Sequence, residues 1–232
     1  MTTVRPRQRI QIVQMTVALC LALAGVSGYV ASGDTSTNWS FDAVSPGTLP
    51  NGFKLGRLYD GRPAGDWQVL ETADAVSAPH ILAQLSNKGA EHAYKMILLD
   101  GTDSSDLELS VSFRAVGGKG DMGGGLIWRA ENDRNYYLTR ANPLEQNVRL
   151  YRVDKGIRKM IANHDQTIDV RRWHRLRVVM QGCRIQVFYD DGRVFDQCDR
   201  ALTAGKIGLW TKSDAVTYFD DLELVIHKPG SE

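Results

Sequence analysis

From Trp39 onward, apolar and polar residues alternate with a period of two in run after run. Leu107, Leu109, Val111 and Phe113 fall on one side of a segment whose other side carries Glu108, Ser110, Ser112 and Arg114. Leu176, Val178 and Met180 repeat the pattern opposite Arg175 and Arg177, and Ile185, Val187 and Tyr189 repeat it again. Successive strand side chains point to opposite faces, so this spacing predicts half-buried antiparallel strands. Glu131-Asn132-Asp133, Asp154-Lys155-Gly156, Gln181-Gly182 and Asp191-Gly192 supply turns between the runs. About a dozen strands fit between Trp39 and Ile226, the number a sandwich or barrel needs. One patch differs: in Pro79 to Leu85, residues Ile81, Leu82 and Leu85 have helical spacing and predict a short helix-like piece.

The first residues follow another pattern. Arg5, Arg7 and Arg9 precede an apolar stretch from Met15 to Val26, and small residues follow it. That order is the layout of a secretory signal peptide, with Ala22-Leu23-Ala24 or Val26-Ser27-Gly28 as the cleavage pattern. The alternative is an uncleaved anchor, since Ile10 to Ala31 is long enough to cross a bilayer. Either reading puts the rest of the chain outside the cytoplasm, secreted or periplasmic, with membrane contact only through an uncleaved leader. The expected organisation is a leader over 1–28, a flexible lead-in over 29–38, one β-sandwich domain over 39–226 and a tail over 227–232.

Charge and cysteine content change the picture once the leader is set aside. The 232 residues carry 28 Lys+Arg against 27 Asp+Glu, a net charge of +1. Residues 1–28 hold three Arg and no acid, so the exported part has 25 cations, 27 acids and a charge of −2. A nucleic-acid partner would call for a basic surplus, and none is present. The leader also takes Cys20 with it, leaving Cys183 and Cys198. These flank a hairpin whose turn is Asp190-Asp191-Gly192; pairing Phe188 with Arg193 sets the cysteines opposite each other, and other registers offset them by two. A disulfide in an oxidising compartment is the expected outcome.

The run WHRLRVVMQGCRIQVFYDDGRV (173–194) resembles concanavalin A-like sandwiches of the laminin-G type, in which Trp-His-x-Leu-x-Val leads to a Gly turn, a strand and an Asp-Gly turn. GGGLIWRAENDRNYYLTRAN (123–142) resembles the neighbouring hairpin of that superfamily, and GKIGLWTKSDAVTYFDDLEL (205–224) its closing strands. Exported bacterial proteins of this layout are grouped with the 3-keto-disaccharide hydrolase domain or with family 16 glycoside hydrolase-like proteins. The resemblance covers about residues 39–226 and implies an all-β jelly-roll sandwich. For function it implies lectins, hydrolases or adhesion modules alike.

Candidate chemistry narrows this only partly. The Glu-x-Asp-x-x-Glu strand of laminarinase-type members is absent, the nearest stretch being Asp103 to Glu108. No His-Glu-x-x-His, Gly-x-Ser-x-Gly or clustered Cys/His set occurs. Gly117 to Gly125 is glycine-rich without the Lys-Ser/Thr of a phosphate loop, and reads as a sheet-edge loop. His174 reads as a hydrogen-bonded strand residue. Sugar recognition calls for aromatic faces beside Arg, Asn and Asp, and Trp128, Arg129, Tyr136, Tyr137 and Arg140 are the expected ligand-binding set. If Leu126 and Leu138 point inward together, Trp128, Tyr136 and Arg140 follow them, while Arg129 and Tyr137 face out. Trp39, Trp67, Trp173 and Trp210 are assigned mainly to the core. Asp42 and Asp220, near paired first and last strands, are candidate ligands for a structural Ca²⁺, the one cofactor entertained. The expected function is carbohydrate binding without catalysis; the alternatives are a glycosidic-bond hydrolase of the 3-keto-disaccharide kind and a laminin-G-like protein-interaction module.

Overall fold

In the computed structural model, residues 34–57 and 65–227 are described. The leader, residues 29–33 of the lead-in and residues 228–232 of the tail lie outside them. Fifteen strands occupy the described residues, and every pairing is antiparallel. In chain order they are β1 (Thr35–Trp39), β2 (Phe53–Leu55), β3 (Trp67–Glu71), β4 (His80–Gln84) and β5 (Tyr94–Ser104). Next come β6 (Leu107–Gly117), β7 (Gly124–Asn132), β8 (Asn135–Asn142), β9 (Asn147–Asp154) and β10 (Ile157–Asp165). The last five are β11 (His174–Gln181), β12 (Arg184–Tyr189), β13 (Gly192–Cys198), β14 (Gly205–Lys212) and β15 (Val216–Ile226). Among the described residues no helix is long and apolar enough to cross a membrane.

The strands form two sheets. One has the order β13-β12-β11-β6-β15-β4-β3, with β1 also paired to β15. The other has the order β10-β9-β8-β7-β14-β5-β2. First and last strands do pair, Thr35 with Ile226 through Trp39 with Leu222. The core between the sheets takes the alternating residues expected of it: Leu107, Leu109, Val111 and Phe113 from β6, Leu176, Val178 and Met180 from β11, Ile185 and Val187 from β12. They meet Leu126 and Trp128 of β7, Tyr137 of β8, Leu150 of β9, and Ile207 and Leu209 of β14.

Two local expectations are corrected. Pro79 to Leu85 is not helix-like: it contributes β4, where Ile81, Leu82, Ala83 and Gln84 are all buried. A strand covered on both faces shows a continuous apolar run, which a short window cannot tell from a helix. In the cysteine hairpin Phe188 does pair with Arg193, but a bulge after Val187 shifts the register beyond it. Cys198 therefore pairs with Arg184 in the ladder, and Cys183 accepts the Asp199 amide. The disulfide joins Cys183 to Cys198 across that one-residue offset, with 4.8 Å between the α-carbons.

Candidate functional site on the outward face of the seven-stranded sheet

The outward face of the seven-stranded sheet is where this chain departs from a simple sandwich. Alternation predicts polar residues there, yet Met96, Leu98, Ile127, Tyr136, Leu138, Tyr151, Val153 and Trp210 form a second buried cluster, with Tyr94 packed against it. Gly208 lies in the same cross-strand rows, paired with Ile127 and Leu98. A β-carbon there would meet the Ile97 carbonyl at 2.2 Å, so the position must stay bare.

Arg158 of β10 lies over this floor. Its guanidinium carbon is 4.4 Å from the Tyr151 ring centre, 5.5 Å from that of Tyr94 and 5.7 Å from that of Trp210. A guanidinium over an aromatic face is attracted by the ring quadrupole, so one cation ties three rings together.

Beside the aromatic floor runs a polar network. The β8–β9 turn, Asn142-Pro143-Leu144-Glu145-Gln146-Asn147, is set by Asn142, whose Oδ1 accepts the amides of Leu144 and Glu145 at 2.9 and 3.1 Å. The turn presents Glu145 to two arginines. Buried Arg140 donates to Glu145 Oε2 at 2.9 Å and to Asn147 Oδ1 at 2.6 Å. Arg149 reaches the same Glu145 oxygen at 2.6 Å, and its Nε donates to Asn163 Oδ1 at 2.8 Å. Asn142 Nδ2 donates to Asp121 Oδ1 at 3.0 Å, and Asp121 is ion-paired with Lys212 at 3.1 Å. The network thus crosses the sheet from Asn163 on β10 to Lys212 on β14.

Its two carboxylates are pushed in opposite directions. Burial works to raise Glu145, but the charges and hydrogen bonds of Arg140 and the charge of Arg149 outweigh it and hold it below the usual carboxylate range. Burial raises Asp121, and Lys212 and Arg140 recover only part of that rise. Over the floor the accessible groups include the charged Arg149 and Glu145, with 29% and 38% of their side chains exposed, and Met160 opposite Tyr151, which is 60% exposed.

The expected ligand-binding residues are divided by this geometry. Tyr136 and Arg140 lie on the outward face. Trp128 and Tyr137 do not: they are buried between the sheets, stacked on each other with ring centres 5.7 Å apart. Leu126 and Leu138 point to opposite faces because Leu126 pairs with Thr139, and Ile127 pairs with Leu138. Arg129, at a bulge with φ of 46°, turns into the sandwich edge and donates to Asp106 and to the carbonyls of Ser105, Gly182 and Leu202. Trp210 is buried as assigned, but in the outward cluster rather than between the sheets. Tyr94, Glu145, Asn147, Arg149, Tyr151 and Arg158 complete the arrangement without having been singled out as a set. The polar density of the 142–147 turn was the available signal.

The other expectations are placed as follows. Asp42 Oδ1 accepts the His80 amide, while Asp220 accepts the amides of Val76 and Ser77, so the two bracket one loop. Among the described residues no group of three or more His, Cys, Asp or Glu is arranged to hold a metal. His174 is buried and bonded to Asp190 and to the Asp169 carbonyl, as a structural strand histidine. The glycine-rich 117–125 stretch does clasp an anion, its own Asp214, whose carboxylate accepts the amides of Lys119, Gly120 and Asp121.

No family profile matches the chain. A levanase of Bacillus subtilis is 27% identical over 128 residues, which is 54% of this chain and 18% of that enzyme. Carbohydrate-binding module CBM66 from Bacillus subtilis superposes with a TM-score of 0.60 at 22% identity, over 74% of this chain and 94% of the module. The GH43 protein BlXynB of Bacillus licheniformis superposes with a TM-score of 0.54 at 11% identity, over 82% of this chain and 39% of its own. At these identities the likeness establishes the architecture alone, a two-sheet antiparallel β-sandwich.

Proposed function

We propose that this chain is a carbohydrate-binding sandwich whose ligand lies on the outward face of the seven-stranded sheet. The observation that carries this reading is the combination on one face of an aromatic floor with a network of Arg, Asn and Glu. Sugars present hydroxyls at fixed spacing, and guanidinium, amide and carboxylate groups held by their neighbours are suited to meet them. The resemblance of the fold to a carbohydrate-binding module, and of half the sequence to part of a levanase, supports the same reading.

The alternative of a 3-keto-disaccharide hydrolase calls for two carboxylates free to flank the scissile bond. Asp121 and Glu145 are joined through Asn142, but each is engaged by a cation, Lys212 for one and the two arginines for the other. That engagement favours binding over hydrolysis. The disulfide and the sugar-binding reading together favour an exported protein, with its leader cleaved or kept as an anchor.

The test is a glycan array on the purified protein, run beside Arg149→Ala and Arg184→Ala. Arg149→Ala is expected to weaken binding at least tenfold, and Arg184→Ala, paired with Asp196 on the other sheet, to leave it unchanged. If no glycan on the array is bound, the reading is abandoned.

A further inference from the structure

We infer that the ligand is an acidic glycan, one whose sugars carry carboxylates, and that Arg158 is the residue that selects it. The inference rests on the carbohydrate-binding reading and names the substrate class for that face. It starts from which groups a ligand would meet. Tyr151 and Trp210 are buried, with 4% and 1% of their surface accessible, so neither ring offers a bare stacking platform. The guanidinium of Arg158 lies over both, and Arg149 lies beside them, with its Nη1 3.5 Å from the Tyr151 hydroxyl. A sugar approaching this floor therefore reaches guanidinium groups before it reaches aromatic carbon.

The charges at that surface do not balance. Arg140 and Arg149 share the single carboxylate of Glu145, and Lys212 has that of Asp121. Arg158 forms no ion pair with a carboxylate among the described residues, and the nearest acid on its own hairpin, Asp154, is taken by Lys159. With Asp165, which faces Arg149 and accepts a hydrogen bond from Asn163, the group holds four cations and three carboxylates, a surplus of one positive charge inside a domain that is slightly acidic as a whole. An uncompensated guanidinium beside a half-buried network is a strong attractor for a carboxylate, because the planar fork matches two oxygens and the low surroundings screen poorly. Glu145 shows the pattern in place: one carboxylate oxygen held by two arginines at 2.6 and 2.9 Å. A sugar carboxylate on Arg158 would leave Asn163, Arg149 and Glu145 to bind the hydroxyls around it.

The experiment measures affinity of the purified protein for polygalacturonate, alginate and hyaluronan, each beside its carboxyl-reduced counterpart, with dextran sulfate as a polyanion of different chemistry. At least one polyuronate is expected to bind ten times or more as tightly as its reduced form, and to lose affinity as salt rises. Arg158→Gln is expected to erase that preference, because affinity for the acid polymer falls at least tenfold further than affinity for its reduced form. Arg158→Lys, which keeps the charge without the fork, is expected to retain part of the preference. Equal affinity for acid and reduced polymers overturns the acidic-glycan inference and leaves the sugar-binding reading standing. Dextran sulfate bound as tightly as every polyuronate overturns the carboxylate assignment. A preference that survives in Arg158→Gln overturns the role of Arg158. Failure to bind any polysaccharide on these panels and on the array removes the sugar-binding reading, and the inference with it.

Discussion

The two sheets are built from the same kind of alternating strand, yet their outward faces are different materials. On the eight-stranded sheet that face is a set of solvated ion pairs: Arg175 with Glu223, Arg177 with Glu108, Arg184 with Asp196. On the seven-stranded sheet it is a second apolar layer, covered by Arg158 and flanked by a partly buried polar network. Charged groups left in water cost little and do little, whereas charged groups held at a fixed spacing over an apolar floor can recognise a ligand. The difference between the faces therefore separates scaffold from site.

The sharpest way to break this contrast is to remove one aromatic ring from each face. Trp210→Ala takes a fully buried ring out of the second layer and is expected to cost about 4 kcal/mol in urea denaturation. Phe188, half-buried beneath Arg177 at 3.8 Å on the other sheet, is expected to cost about 1 kcal/mol when changed to Ala. Equal losses would mean that the second layer contributes nothing distinctive.

Much of this architecture was legible in the sequence, and what was not has a physical reason. In β6, β11 and β12 one face is wet, so the period of two named the inward residues correctly. In β7 and β8 both faces are buried, so Leu126-Ile127-Trp128 and Tyr136-Tyr137-Leu138 carry no alternation from which to read a parity. The parity is fixed by a turn and a bulge at Arg129, which pattern alone does not locate. The same limit hid the site. Arg158 meets Tyr94 and Trp210 across 64 and 52 positions of sequence, and no local window joins them.

Covalent bonding offers a second comparison. The edge hairpin of the open-faced sheet, β12–β13, has no second layer, and the Cys183–Cys198 bridge holds it instead. Replacing both cysteines by Ser is expected to lower stability by about 3 kcal/mol, on the chain-entropy account of a loop of this length. Thermal unfolding with and without reductant checks it, and reductant is expected to act on the natural protein alone.

A buried carboxylate of one sheet and an arginine-paired carboxylate of the other are expected to respond to pH with opposite signs. Asp220 on β15 is buried among amides and the Ser77 hydroxyl, with no cation bonded to it among the described residues, and burial pushes it up to about 6. Its folded value lies above its unfolded value, so the folded state binds the extra proton between about pH 4 and pH 6, and stability falls as pH rises through that window. The effect is expected to be about 2 kcal/mol and to disappear in Asp220→Asn. Glu145 is depressed by its arginines, so its contribution is present above the unfolded carboxylate value and is lost as pH falls. Urea midpoints of the natural protein minus those of Asp220→Asn and of Glu145→Gln, taken from about pH 3 to pH 7, separate the two; differences that change with pH in the same direction would refute the assignment.

The smallest expected effect tests the scaffold side of the contrast. Arg175 and Arg177 carry well-formed ion pairs, at 3.0 and 3.1 Å, and a count of contacts would rank them beside Arg140. Their surroundings decide otherwise. Exposed pairs gain little Coulomb energy in water and lose side-chain entropy on forming, so Arg175→Ala is expected to change stability by no more than about 0.5 kcal/mol. Arg140 has 3% of its side chain accessible, and its removal strands the amide oxygen of buried Asn147 without its 2.6 Å donor. That loss is expected to exceed the Arg175 loss severalfold in the same denaturation assay. A comparable cost for both would mean that the outward faces do not differ in how they hold charge, and the basis for placing the ligand on one of them would fail.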